Sequence, residues 1–462
     1  MLFWLVVIVA LATFLIGDPR SSWLLGGLII LGMLTPAILK THEHTHPFFV
    51  DKLWPLFWCC SLPVWVLLVQ FATGLLQQPL TLIHSDQTDY FQLSPTAAWL
   101  PASTAAGSAW VTLIGFCAAY LVALMIFLIP KSRAFFERLL PLLCSLAVSM
   151  TLLGYLQYGL GLANPILTKG TGLNDFFAFF PYDGHWAAFA TLWCTACVSM
   201  ALLSTRYEDS PTFVQSRAPW YLTGAALLAG TGFLLDNPLP AFMLLVTFSV
   251  MLLIVSVEFL SRSKDPHRHA VGISSGLAAC FCFAASIYRL FQPGAAVENT
   301  SLLRQAAWDM FQANPIFGWG PESYARMLPF YANDLLQGER FVHSTSDLLQ
   351  LLAELGVFGA LIFFGFFSSF LYRYLAGKHD IKLTNHLLIG CAAVVILAGW
   401  DSPFMSPTVS FSFFLLFFSA MRWADLSRNR VDDVDAARPQ LVTPASLRRV
   451  PFFIEPDQKK NK

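Results

Sequence analysis

Twelve apolar runs, most near or beyond the length that crosses a bilayer, constrain this chain more than any other feature. They are Met1–Gly17, Trp23–Leu39, Trp54–Leu76, Ala109–Ile129, Leu139–Leu162 and Trp186–Leu203, followed by Trp220–Leu235, Leu239–Phe259, Ala270–Phe291, Leu355–Leu375, Leu383–Trp400 and Thr408–Trp423. A helix needs roughly 20 apolar residues to span hydrocarbon. Nothing there bonds to a bare N–H or C=O, so each run is expected to be helical. Charged residues make up only 12 % of the 462, against about 25 % in a soluble domain. The expected fold is therefore all-α and polytopic, with about twelve transmembrane helices in residues 1–426 and a polar, disordered tail in 427–462. The first run lacks a basic n-region and a small-residue cleavage site, which reads as a retained helix.

Orientation follows from lysine and arginine in the connecting loops. With the N-terminus inside, one side receives Lys40, Lys52, Lys131, Arg133, Arg138, Arg206, Arg217, Arg262, Lys264, Arg268, Arg373, Lys378 and Lys382. The other side receives Arg20, Lys169, Arg304, Arg326 and Arg340. Both termini are expected in the cytoplasm. All nine cysteines fall in apolar runs, where they behave as small hydrophobes and imply no disulfide framework. His42-Glu43-His44-Thr45-His46 alternates ligand-type residues but has no companion cluster and falls on the inner side, so it reads as a solvated loop. The chain shows no Walker motif, Rossmann glycine pattern or nucleic-acid signature.

Three outer segments have room for a site: Gln77–Ser108, Asn164–His185 and the longest, residues 292–354 between the ninth and tenth runs. A loop that long in a compact bundle is usually functional or disordered, and this one is rich in Trp, Tyr, Phe and Leu. Ser301 or Asn299 is expected to cap a helix over Leu302–Phe311, which places Arg304 and Trp308 on one face. Asn314-Pro315 ends it. Gly318-Trp319-Gly320 permits a sharp turn, and Pro321 suits the start of a short helix over Glu322–Phe330. On a continuing helix His343, Asp347, Gln350 and Glu354 would form one polar stripe, costly at membrane depth unless it meets a wet cavity.

These residues carry a resemblance. Arg304-x-x-x-Trp308, then Asn314-Pro315-Ile316-Phe317-Gly318-Trp319-Gly320, then His343-Ser344-x-x-x-Leu348 leading to Glu354-x-Gly356-x-x-Gly359, resemble the major periplasmic loop of the O-antigen ligase/polymerase superfamily. Leu93-Ser94-Pro95 and Asp401-x-Pro403 also look like features of ligase-type members. The resemblance implies a metal-independent glycosyltransferase of the bacterial inner membrane that uses no cofactor. Its donor would be an undecaprenyl-diphosphate-linked glycan, and its acceptor a lipid A-core glycolipid, a growing glycan or a protein hydroxyl. Membrane lipids would surround it.

Carried onto matching positions, Arg304 would hold the diphosphate and His343 would activate the acceptor hydroxyl. Arg289 and Arg340 are further diphosphate candidates, and Asp347, Glu354, Trp319, His185 and Asp401 are supporting residues. A guanidinium fork suits phosphate oxygens and stays charged at any working pH, while imidazole titrates near neutrality. The chain departs from the pattern at Leu234–Ala241, where many members carry an arginine and this one carries Asp236 and Asn237. Arg289, Arg340 or Lys169 would then substitute, or the donor site is altered. The family's asparagine-rich segment reads Pro181-Tyr182-Asp183-Gly184-His185-Trp186 here. Polymerase and protein O-oligosaccharyltransferase activities share the signature. Outside the enzymes, the rival readings are a lipid-glycan transporter, which should show broken helices and inverted repeats, and a non-catalytic glycan-lipid binder.

Overall fold

The computed structural model describes residues 2–15, 57–76, 81–85, 88–92, 106–130, 132–161, 177–207, 213–262, 266–292, 300–332, 341, 343–375 and 382–437. In chain order the elements are α1 (Leu2–Leu15), α2 (Leu62–Leu76), strands β1 (Thr81–Ser85) and β2 (Thr88–Gln92), α3 (Ala106–Leu128) and α4 (Arg133–Gly159). Next come α5 (Asp183–Tyr207), α6 (Ala218–Gly230), α7 (Pro238–Arg262) and α8 (Pro266–Leu290). The last are α9 (Thr300–Ala313), α10 (Tyr324–Tyr331), α11 (Asp347–Leu375), α12 (Lys382–Leu397) and α13 (Pro407–Ala437). Every apolar run except Trp23–Leu39, which lies outside the described residues, meets a helix. Among the described residues six helices are long and apolar enough to cross a membrane, within α4, α5, α7, α8, α11 and α13. Leu2–Leu15, Phe116–Leu128 and Lys382–Leu397 are apolar but shorter.

The bundle is all-helical, as expected. A small hairpin is added to it: Thr81–Ser85 and Thr88–Gln92 pair antiparallel, Ile83 opposite Tyr90, and β-branched and aromatic residues suit it. One expectation is corrected. The polar tail does not begin as disorder at Ser427, since α13 continues to Ala437.

Helix α5 is the centre of the bundle and packs against α4, α6, α7, α12 and α13. Its small residues let neighbours approach: a Cβ on Gly390 of α12 would stand 2.1 Å from Thr195 Oγ1. Its two buried indoles are satisfied, with Trp186 Nε1 donating to Thr231 Oγ1 at 3.0 Å and Trp193 Nε1 to Ser412 Oγ at 3.2 Å. Helix ends alternate. One end of the bundle gathers Arg422 Nε on the Pro130 carbonyl at 2.8 Å, Arg133 over the Trp423 ring at 5.0 Å, and the Lys382–Glu258 ion pair at 3.3 Å. The opposite end gathers the starts of α5, α7, α11 and α13 with the ends of α8 and α12.

At that second end α11 is broken. Gly356 adopts φ 66°, ψ −175°, which frees carbonyls that a continuous helix would use. The Ala353 and Glu354 carbonyls accept from Trp319 N at 3.0 Å and Gly320 N at 2.8 Å, while Val357 N and Phe358 N donate to Pro315 O at 2.8 Å and Ile316 O at 3.1 Å. The glycine-rich turn is thus stitched into the break. Both glycines are required by space as well as by φ: a Cβ on Gly318 (φ 67°) would lie 2.4 Å from the Glu354 carbonyl, and one on Gly356 2.3 Å from Ile316 O.

Gly318→Ala and Gly356→Ala should each destabilise the protein by more than the roughly 1–2 kcal/mol of a left-handed alanine, because overlap adds to it. Thermal unfolding in detergent measures this against Gly365→Ala, where a Cβ meets nothing within 4 Å. Equal midpoints for the three variants would contradict the interlock.

Candidate functional site

Four segments converge beyond the helix ends: the start of α5, the start of α7, the 343–347 entry to α11, and residues 398–406 between α12 and α13. Ser346 ties the last two together, its hydroxyl donating to Gly399 O at 2.9 Å while Asp347 N reaches Asp401 O at 3.1 Å. The α9 helix lies against the same group. Thr345 Oγ1 donates to Thr300 O at 3.3 Å, and Arg304 Nη2 to the Trp400 carbonyl at 2.7 Å.

Asp183, Asp347 and Asp401 are 3 %, 7 % and 5 % exposed, so this end of the bundle buries three aspartates as well as Glu354. A buried charge survives only with partners. Asp183 Oδ2 accepts Asn237 N at 2.8 Å, and Asp347 Oδ2 accepts Phe404 N at 2.7 Å. These two acids also begin α5 and α11, where the helix dipole favours negative charge. Asp401 Oδ1 accepts Ser402 N at 2.7 Å and the Tyr182 hydroxyl at 3.1 Å; Asn237 Nδ2 donates to that same hydroxyl at 2.8 Å. Asp401 Oδ2 is buried with no hydrogen-bond partner among the described residues. It lies against Gly184, where a Cβ would approach to 2.5 Å. Burial pushes the Asp401 carboxyl up to about 6, with the Ser402 amide, the Tyr182 hydroxyl and the Arg304 charge pulling the other way. The Tyr182 phenol is raised well above its ordinary value, mainly by burial and then by the charges of Asp401 and Asp183.

The Nε of Arg304 is buried and meets no acceptor among the described residues, while Nη2 holds Trp400. Arg289, at the end of α8, reaches the Leu235 carbonyl through Nη2 and Gln292 Oε1 at 2.6 Å through Nη1. It therefore sits against the 234–241 segment in which the family pattern would have placed an arginine. Arg340 lies outside the described residues, as do Lys169, Leu93-Ser94-Pro95 and the His42–His46 stretch. His185, 6 % exposed, directs Nε2 to Ser402 O at 3.0 Å, so it belongs to the same cluster.

The His343 stripe needs correction. Helix α11 starts at Asp347, so half-buried His343 precedes it in an extended entry whose Ser344 amide donates to Gln350 Oε1 at 3.0 Å. Glu354 is engaged elsewhere. It accepts Gln350 Nε2 at 3.0 Å, Glu322 N at 2.9 Å and Tyr324 N at 3.3 Å, and so caps α10. Glu322 is in the left-handed region (φ 60°), which delays α10 to Tyr324 rather than the expected Glu322. Ser301 is inside α9 rather than capping it; Asn299 lies outside the described residues. Trp319 Nε1 donates to Met310 O at 2.9 Å, and its ring packs near Tyr331. Tyr182, Asp183 and Asn237 were missed as site residues, although both stretches that hold them had stood out as departures from the family pattern.

One end of a helical bundle with six helices long and apolar enough to cross a membrane thus carries a guanidinium among buried acids. Residues 212–364, about a third of the chain, match the O-antigen ligase family. The matched stretch holds Arg289, Arg304, Arg340, His343, Asp347 and Glu354, whereas Tyr182, His185 and Asp401 lie outside it. No curated protein matches the chain significantly.

Because the folded value of Asp401 exceeds the ordinary 3.8, folding favours its protonated form. Its stabilising contribution is whole below about pH 4 and is lost as pH rises through about 6, a difference of about 3 kcal/mol. Asp401→Asn should therefore gain stability over wild type as pH rises from 5 to 8. Melting curves across that range test it, and a gap that stays flat or shrinks would refute the assignment.

Proposed function

We propose that this protein transfers a glycan from an undecaprenyl-diphosphate carrier to an acceptor hydroxyl on the periplasmic face of the inner membrane, as a ligase-type member of its family. The observation that carries this reading is Arg304. Its guanidinium stands at the bundle end, inside the family-matched stretch, with an Nε free of any acceptor among the described residues. The opposite end holds Arg133, Lys382 and Arg422, which supports placing it in the cytoplasm.

In this reading the acceptor oxygen forms a bond to the anomeric carbon as the bond from that carbon to the diphosphate oxygen breaks. The bonding pair leaves with the diphosphate, and Arg304 stabilises the charge that develops there. His343 accepts the hydroxyl proton; it belongs to the segment that Thr345 ties to the first turn of α9. Arg289 supplies positive charge beside residue 235. The acceptor is a lipid A-core sugar. No metal or cofactor takes part.

His343→Ala should lower transfer by about 10²–10⁴-fold, and Arg304→Ala by about 10²–10³-fold, with Arg304→Lys intermediate because a point charge replaces a fork. The assay is reconstitution with a lipid-linked glycan and three acceptors in parallel: lipid A-core, free glycan and protein. Transfer undiminished in both alanine variants would overturn the site. Transfer only to glycan or to protein would replace ligase by polymerase or by protein O-oligosaccharyltransferase.

A further inference from the structure

Asp401 is a buried carboxylate beside the proposed anion site, and two side chains outside the established sequence signature converge on it. Tyr182 donates to its Oδ1 at 3.1 Å, and Asn237 donates to the Tyr182 oxygen at 2.8 Å. Asn237 is anchored in turn, its own amide held by Asp183 at 2.8 Å. The order is therefore directional: amide to phenol to carboxylate. Each donor polarises the next, which strengthens the last bond. The second oxygen, Oδ2, has no partner among the described residues and lies against Gly184, where any side chain would collide with it. One oxygen is clamped and the other is left for a proton.

We infer that Tyr182 and Asn237 are positioning residues that hold Asp401 ionised as the counter-charge of Arg304, and that Asp401 takes up a proton when a diphosphate claims Arg304. This inference rests on the diphosphate reading of Arg304. The charged and titratable groups around Asp401 are Arg304 from α9, Asp347 from α11, Tyr182, and Asp183 and His185 from α5. Two of them, Asp347 and Asp183, are acids. With Arg304 neutralised by a ligand, Asp401 keeps the like charge of Asp347 and loses the opposite charge that offset it. The carboxylate that loses the field of Arg304 then takes up a proton. Asp401 is the one of the three whose charged form Arg304 favours, and its Oδ2 meets no hydrogen-bond partner among the described residues. The proton comes from water and no other atom changes hands.

The test uses the full-length protein in detergent and has two arms. In the first, infrared titration of the carboxyl band that Asp401→Asn removes is followed without ligand. Tyr182→Phe, which deletes the hydrogen bond that favours the carboxylate, should move this titration upward by about one pH unit. Asn237→Ala should move it the same way by less. In the second arm, binding of undecaprenyl diphosphate should tighten as pH falls, with an inflection that shifts upward in Tyr182→Phe and is absent in Asp401→Asn. An unmoved carboxyl titration in Tyr182→Phe overturns the inference, as does a wild-type inflection retained in Asp401→Asn. If the titration moves as stated but wild type binds no undecaprenyl diphosphate at any pH, the diphosphate reading falls and takes the proton linkage with it.

Discussion

Backbone polar groups that leave a helix inside a membrane protein must find partners, and residues 314–320 and 353–358 find them in each other. The break at Gly356 releases two carbonyls and two amides, and the Asn314–Gly320 turn supplies four complements. This pairing is what makes an irregular turn tolerable next to hydrocarbon. It also sets positions downstream. With the turn fixed, Glu354 is placed to cap α10. Tyr324 then reaches Leu303 O at 3.0 Å and fixes α9, and with α9 comes Arg304. The arginine owes its location to a glycine fifty-two positions away in sequence.

Charge makes a second constraint at the same end. Three aspartates are buried there, and each solves its desolvation differently. Asp183 and Asp347 use a helix start plus one amide of a neighbouring segment. Asp401 uses an adjacent amide, a phenol and the field of Arg304. The first two solutions are built into backbone geometry and persist under all conditions. The third depends on a side-chain cation, so whatever competes for that cation changes the acid.

Much of this was legible in the sequence because its causes are local. Apolar runs predict helices, and among the described residues eleven of the twelve meet one. Asn314-Pro315 and the paired glycines mark a turn, which is where the turn is. Failures arise where tertiary contacts override spacing. His343, Asp347, Gln350 and Glu354 share a helical face on paper, yet Ser346 binds Gly399 and stops the helix from extending back to His343. Glu322 looks like a first-turn acid, but its amide is needed by Glu354 and its backbone turns left-handed to deliver it. The 81–92 hairpin went unread because an outer loop of a helical membrane chain carries no periodicity strong enough to announce two five-residue strands.

The missing middle-helix arginine shows how function can be carried across such differences. At 234–241 the chain has Asp236 and Asn237 in place of a cation, and read alone this suggests a weakened anion site. Yet Arg289 arrives at Leu235 from the next helix, and Asn237 is bound into the Tyr182–Asp401 network. The cation is supplied from one helix later, and the vacated position now donates to a phenol. An arginine at 237 would have stood among Tyr182, Asp183 and Asp401 and neutralised them outright. With asparagine there, Asp401 depends on Arg304, and in the proposed reading the same residue serves both the protein's own carboxylate and the incoming anion. That competition would make the proposed chemistry sensitive to pH, and it follows from one change in which helix carries the positive charge.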